Sequence, residues 1–273
     1  MQKSLWRVLN KEIFEYNLNL KLKVLSVKNI KLKNIPIISM TVEMKFKVNI
    51  PDDAVFGLLY PFLSNEYRNF NQFPIQQIPI DIQKRDINLF YAPHYEFYDE
   101  NKPLKVLIGP RVLIVSFLKN SSNNYPGWRD YIETETLKIF ENIFKLNFIK
   151  SIERFGIRYI DFFEDLNIFE HVQFKILNKD DTSIAQEEKL QILRNFQKND
   201  FFHNITISNN ANVFIENIKK EGSIIDIDTY KENYEIDNFI KNYKNYIKIA
   251  HDINKQEFFE NLNSDFIKNL QEG

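Results

Sequence analysis

Alternation of apolar and polar positions is the strongest signal along the chain. Near its start Leu18, Leu20, Leu22 and Val24 recur at period two within Tyr16–Val24, which predicts a strand. After Pro36 the pattern sharpens: Met40, Val42, Met44, Phe46 and Val48 oppose Thr41, Glu43, Lys45 and Lys47, a half-buried strand over 38–50. Pro51-Asp52-Asp53 then offers a turn and an N-cap carboxylate, and Val55, Leu58, Leu59 and Phe62 follow at helical spacing from Ala54 to Leu63. Residues 69–120 read as β structure broken by Pro74 and Pro79. In it Leu104–Ile108 and Val112–Leu118 form a hairpin across Gly109-Pro110-Arg111. Beyond Tyr125-Pro126-Gly127-Trp128, the stripe Trp128, Tyr131, Ile132, Thr136, Ile139, Phe140 and Ile143 predicts a long amphipathic helix to about Lys145.

The second half repeats these ingredients. A strand is expected over 149–163, with Arg154, Gly156 and Arg158 on one face and Phe155, Ile157 and Tyr159 on the other. A short strand is expected at Val172–Leu177 and a polar loop at 178–183, and 187–196 stays unassigned. Phe202–Ser208, Val213–Ile218 and Ser223–Thr229 then read as a three-strand meander. Asn209–Asn212 and Lys219–Gly222 supply its turns. Ile236, Phe239, Ile240, Tyr243, Ile247 and Ala250 line a covering helix, and Phe258, Phe259, Leu262, Phe266 and Leu270 a terminal one. The expected fold is therefore α+β: antiparallel meanders, each covered by amphipathic helices. Residues 1–35 form an N-terminal extension with a strand, 36–165 an N-terminal unit and 166–273 a C-terminal unit. Whether the halves are a duplication or unrelated stays open.

Composition narrows the function. The chain of 273 residues carries a net charge of −1, which removes the bulk basicity of most nucleic-acid binders. It contains no cysteine, so disulfides, thiol catalysis and thiolate metal sites are excluded, and four scattered histidines leave little for other metals. Met1–Leu20 lacks the apolar core of a signal peptide, and no stretch approaches a membrane span. The excess of isoleucine (37) and asparagine (33) over alanine (5) points to an A+T-rich gene, and a bacterial cytoplasm is the expected location.

Few residues carry chemistry. Six dispersed glycines provide no phosphate-cradling loop, and the strands do not alternate with helices in βαβ order. His94 lies in an aromatic segment, His203 leads a strand, and His251 with Asp252 ends a helix, where the dipole favours a cation. Asp226 and Asp228 share one strand face and read as its wet side. Arginine is scarce, eight copies against 28 lysines, so codon bias does not account for Arg154 and Arg158. About 13 Å apart with Gly156 between them, they form either a forked anion site or ion pairs to Glu153, Asp161 or the acidic residues Glu133, Glu135 and Glu141. Ion pairing is the simpler of the two.

Tyr125-Pro-Gly-Trp128 and Arg154-Phe-Gly-Ile-Arg-Tyr-Ile-Asp161, joined by a helix, resemble elements of a sporadically distributed family of uncharacterised bacterial proteins. Similarity extends to a Pro-initiated strand at Pro36–Phe46 and to a helix-linked Ala250-His251 and Phe258-Phe259. The resemblance implies a patchy distribution of the kind seen for defence and toxin–antitoxin loci, and no catalytic residues. Arg154, Arg158, Trp128 and His251 are the candidate binding residues; no catalytic residue, metal or cofactor is expected. The leading expectation is a non-enzymatic interaction module with a protein partner, such as an antitoxin, immunity or defence-associated subunit. The alternative is a phosphate- or nucleic-acid-processing factor using the arginine pair and a histidine. A small-ligand binder with a pocket between sheet and helix is the third.

Overall fold

Every strand in the structure joins one antiparallel sheet. The computed structural model describes residues 30–177, 189–198 and 200–272, so the strand expected at Tyr16–Val24 and the polar loop at 178–183 lie outside the described residues. In chain order the elements are β1 (Ile37–Val48), α1 (Ala54–Glu66), β2 (Asn69–Gln72), β3 (Tyr95–Tyr98), β4 (Leu104–Gly109), β5 (Val112–Leu118), α2 (Glu133–Lys145) and β6 (Ile149–Glu164). They continue with β7 (Gln191–Lys198), β8 (Phe201–Ile215), β9 (Ile218–Tyr234), α3 (Ile236–Asn261) and α4 (Ser264–Glu272). The sheet order is β2-β3-β4-β5-β1-β6-β9-β8-β7. The fold is α+β.

The alternation read from the sequence determines which side of this sheet is covered. Met40, Val42, Met44 and Phe46 of β1 are fully buried with Val55, Leu59 and Leu63 of α1, Ile139, Phe140 and Ile143 of α2, and Phe239, Tyr243 and Ile247 of α3. A second cluster joins Ile205, Ile207, Ile225 and Ile227 of β8 and β9 to Phe258 and Phe259 of α3 and to Phe266 and Leu270 of α4. Each such side chain contributes about 1.5–3 kcal/mol on burial, so packing rather than helix propensity holds these alanine-poor helices. Helix α3 is 26 residues long but amphipathic, and among the described residues no helix is long and apolar enough to cross a membrane. Near residue 165, where a seam between two units is expected, β6 pairs with β1 on one side and β9 on the other.

Several expectations are corrected. Residues 74–90 form three short helical turns, Pro74–Gln77, Ile80–Gln83 and Ile87–Phe90, not extended chain. Asp53 occupies the N-cap of α1 without a side-chain hydrogen bond, while Asp52 is held by Arg111. Val172 makes only an isolated bridge to Leu262, and no strand forms at 172–177. Most consequentially, the expected three-strand meander is two long strands. Asn209–Asn212 is a bulge inside β8 rather than a turn, and Lys219–Gly222 lies within β9. The turn is Glu216-Asn217, both at positive φ, the geometry of a tight two-residue hairpin. Asparagine tolerates αL, so Asn210 at φ 47° serves a bulge as readily as a turn.

Candidate functional site

Pro126 and Gly127 create the central feature of the helix-covered side. Gly127 has φ +88°, and its carbonyl accepts from Tyr131 and Ile132 at 3.3 and 3.2 Å, opening one π-helical turn (Trp128–Ile132) ahead of α2. A Cβ at Gly127 would lie 2.9 Å from the Asp130 carboxylate, so only glycine fits this turn. The turn lays the Trp128 indole flat on the His251 ring of α3, with centroids 4.3 Å apart and planes 7° from parallel. Helix α3 runs to Asn261, so His251 is mid-helix and the expected dipole capping does not apply. Its Nδ1 lies 3.4 Å from the Asp252 carboxylate, yet burial outweighs that neighbour and lowers its pKa, leaving a neutral imidazole at pH 7.

Strand β6 supplies the floor. Tyr159 and Asp161, two residues apart, share the helix-facing side with Ile157. The Tyr159 and Tyr125 hydroxyls are 3.1 Å apart, and burial raises both phenol pKa values. Asp161 is 3% exposed, and its carboxyl has no hydrogen bond or ion pair among the described residues. Burial, reinforced by Asp226, pushes its pKa well above the carboxylate range. Asn254 of α3 donates to the carbonyls of Ile157 and Ile227 at 3.2 and 2.8 Å and to Thr229 Oγ1 at 3.1 Å, fastening the helix over this part of the sheet.

Segment 30–36 closes the third side. Lys255 donates to the Ile30 carbonyl at 3.1 Å, and the Lys33 and Asn34 amides donate to the Leu270 carbonyl at 2.9 and 3.2 Å. Between segment, turn, sheet and helix is a hollow of about 560 Å³. Trp128, His251, Tyr125, Tyr159 and Asp161 form its inner walls. That size, with aromatic walls and several charged and polar side chains, among them Arg129, Asp130, Asp161, Asp252 and Lys255, suits a small polar organic ligand. Among the described residues no serine, threonine or cysteine lines it, and no cluster of three metal-ligating side chains occurs.

Trp128 and His251 are thus brought together, and Arg154 and Arg158 are not part of the same place. Odd positions of β6 face the helices here, so both arginines lie on the opposite face. Arg154 Nη2 donates to both Asp228 oxygens at 2.8 and 2.7 Å, its Nη1 donates to Glu43, and its guanidinium sits 4.3 Å from the Tyr230 ring centre. Arg158 Nε donates to Asp226 at 2.8 Å. The ion-pair reading names the wrong partners: Asp226, Asp228 and Glu43 replace Glu153, Asp161 and the acids of α2. Gly156 makes room for Tyr230, whose Cβ would lie 2.8 Å from an added Cβ, and not for a ligand. A phosphate would have to displace carboxylates already seated in both guanidinium forks.

A second hollow of about 720 Å³, lined by Asp52, Phe56, Gln83, His94 and Tyr95, is less suited to recognition. Asp52 is taken by Arg111, and Gln83 Nε2 by the carbonyls of Ile75 and Ile78. Asp161, Tyr125 and Tyr159 were not singled out by sequence reasoning. Two signals point to them: the shared parity of Tyr159 and Asp161, opposite to the arginines, and the two quoted elements that carry them. Tyr125, Trp128, Tyr159, Asp161 and His251 all line this hollow. No family model, no curated protein and no solved structure matches the chain.

Proposed function

We propose that the protein is a non-enzymatic binding module that holds a small ligand between the sheet and α3. The observation that carries this reading is the convergence of four sequence-distant segments, 30–37, 125–130, 159–161 and 251–259, on one aromatic hollow. The non-enzymatic part is supported by a described lining without serine, threonine or cysteine and by a histidine stacked on indole beside Asp252. Saturation-transfer NMR of the full chain against a metabolite collection tests it. Binders are expected that lose their signal in Trp128→Ala; a collection whose binders are indifferent to Trp128→Ala and His251→Ala refutes the site.

A protein partner has separate support. The β8–β9 arm runs past the end of β6, whose pairing with β9 stops at Glu164–Gly222, and its tip exposes Phe214 (70%) and Ile218 (63%). Large apolar side chains held out on a hydrogen-bonded hairpin are suited to anchor in a partner's pocket. A partner of the expected defence or antitoxin type should be retained by the native chain and lost with Phe214→Ser plus Ile218→Ser; retention by the double variant removes the arm from this reading.

A further inference from the structure

We infer that the ligand presents a protonated nitrogen, an ammonium or amidinium on an apolar or aromatic body, to the Asp161 carboxylate at the floor of the hollow. The inference rests on the reading of the hollow as a ligand site and deepens it by naming the chemical class. Asp161 is a carboxyl withdrawn from water with nothing described to receive it. A buried charge left in that state is costly and persists where a counter-ion or a proton arrives to satisfy it. Among the described residues no cation does so. Lys31, Arg129 and Lys255 also line the hollow, but none of them pairs with Asp161, and the charged neighbour that acts on it is the repelling carboxylate of Asp226. Lys255 is instead directed at the Ile30 carbonyl.

The remaining walls fit the same class. Trp128 and the rings of Tyr125, Tyr159, Phe258 and Phe259 line the same hollow, and such aromatic surface attracts a cation and accepts an apolar body. The Tyr125 and Tyr159 hydroxyls, 3.1 Å apart, line the hollow together with Asp161 and add polar atoms to its floor. An anionic ligand brought to the floor would meet Asp161 and be repelled there, and any attraction to Lys31, Arg129 and Lys255 elsewhere in the lining is what the anion probe reads. A neutral ligand would leave the carboxylate unpaired unless Asp161 takes up a proton.

A matched probe series separates these outcomes: 2-phenylethylamine and benzamidine as cations, 2-phenylethanol as the neutral counterpart and 3-phenylpropionate as the anion. Binding is read by isothermal titration calorimetry of the full chain, a readout that Trp128→Ala leaves intact. A charge-assisted hydrogen bond predicts that the cations bind at least about tenfold tighter than the alcohol, with the carboxylate weakest. Asp161→Asn should erase that preference while retaining alcohol binding. Equal affinity of amine and alcohol in the native chain, a comparison needing no Asp161 variant, overturns the inference. So does a cation preference that survives Asp161→Asn. In both cases alcohol binding lost in Trp128→Ala keeps the hollow as the site. If no probe binds, or binding ignores Trp128→Ala, the hollow reading itself falls and takes the inference with it.

Discussion

Arg154 and Arg158 lie four residues apart on one face of β6, and their replacement by methionine should have very different consequences. Arg154 has a side chain only 16% exposed, and its fork is closed by Asp228 and Glu43. Methionine keeps the apolar stem and removes the charge, leaving two poorly solvated carboxylates facing one another across the β6 backbone. Removing one partner of a buried ion pair costs about 3–5 kcal/mol. Arg158 is 50% exposed and its pair with Asp226 is largely solvated, a situation worth roughly 0–1 kcal/mol. At about 2–4 °C per kcal/mol for a chain of this size, Arg154→Met should melt roughly 6–20 °C below the native protein and Arg158→Met within about 4 °C of it. Urea unfolding at pH 7 should show the same order in midpoint at unchanged slope. Burial already holds the Asp228 carboxyl above its ordinary range despite Arg154. A raised carboxyl costs stability as pH climbs past its unfolded value, so the Arg154→Met penalty should shrink as pH falls towards about 4. Equal losses for the two variants, or a loss under about 1 kcal/mol for Arg154→Met, would show that the network is solvated and that the arginines are free for a ligand.

Further tests address other buried groups. His203 is fully buried, with Nδ1 3.1 Å from Thr229 Oγ1, and burial lowers its pKa to about 4. Its contribution is present above the unfolded value of about 6.5 and is lost as pH falls through about 4, an effect of about 3 kcal/mol. The stability gap between native protein and His203→Leu should therefore narrow by most of that amount between pH 7 and pH 4; a constant gap refutes it. Asp161→Asn should be more stable than the native chain at pH 7.5, because the raised carboxyl costs stability above about pH 4, and the advantage should vanish in acid. A destabilised Asn variant at pH 7.5 would mean that Asp161 has a partner. Finally, a Cβ at Gly222 would lie 2.1 Å from the Phe163 carbonyl oxygen of the neighbouring strand, whereas at Gly57 in α1 nothing lies within 4 Å. Calorimetry should find Gly222→Ala destabilised by about 3 kcal/mol or more and Gly57→Ala stabilised by about 0.5–1 kcal/mol.

Much of the architecture was legible along the chain. Period-two alternation marks β1 and β6 and assigns their faces, the turn at Gly109-Pro110-Arg111 marks the β4–β5 hairpin, and helical spacing marks α1 and α2 to within a few residues. Misreadings cluster where one residue type serves two geometries. Asparagines at 209–212 suit a turn or a bulge, and the aromatic run before β3 folds into helical turns. The end of α3 was placed too early because its stripe passes from Ala250 to Ile253 and on to Phe258 and Phe259 as the helix leaves one core cluster for the next. The Arg154 partners were misassigned because parity was applied to the arginines but not to Asp161, an odd number of residues away and hence on the other side of the sheet.

By itself the sequence determined which side chains are paired with water and which with the core, since both periods are local properties of a strand or a helix. It also removed thiolate chemistry and phosphate loops. Which residues meet across the fold was decided only in three dimensions. Trp128 and His251 are 123 positions apart, yet a glycine turn and a helix pinned by Asn254 stack their rings. Asp161 reads as one more strand acid until α3, the Tyr125 turn and segment 30–36 enclose it. Enclosure is a property of surfaces brought together from distant parts of the chain, and it converts an ordinary carboxyl into one that requires a partner.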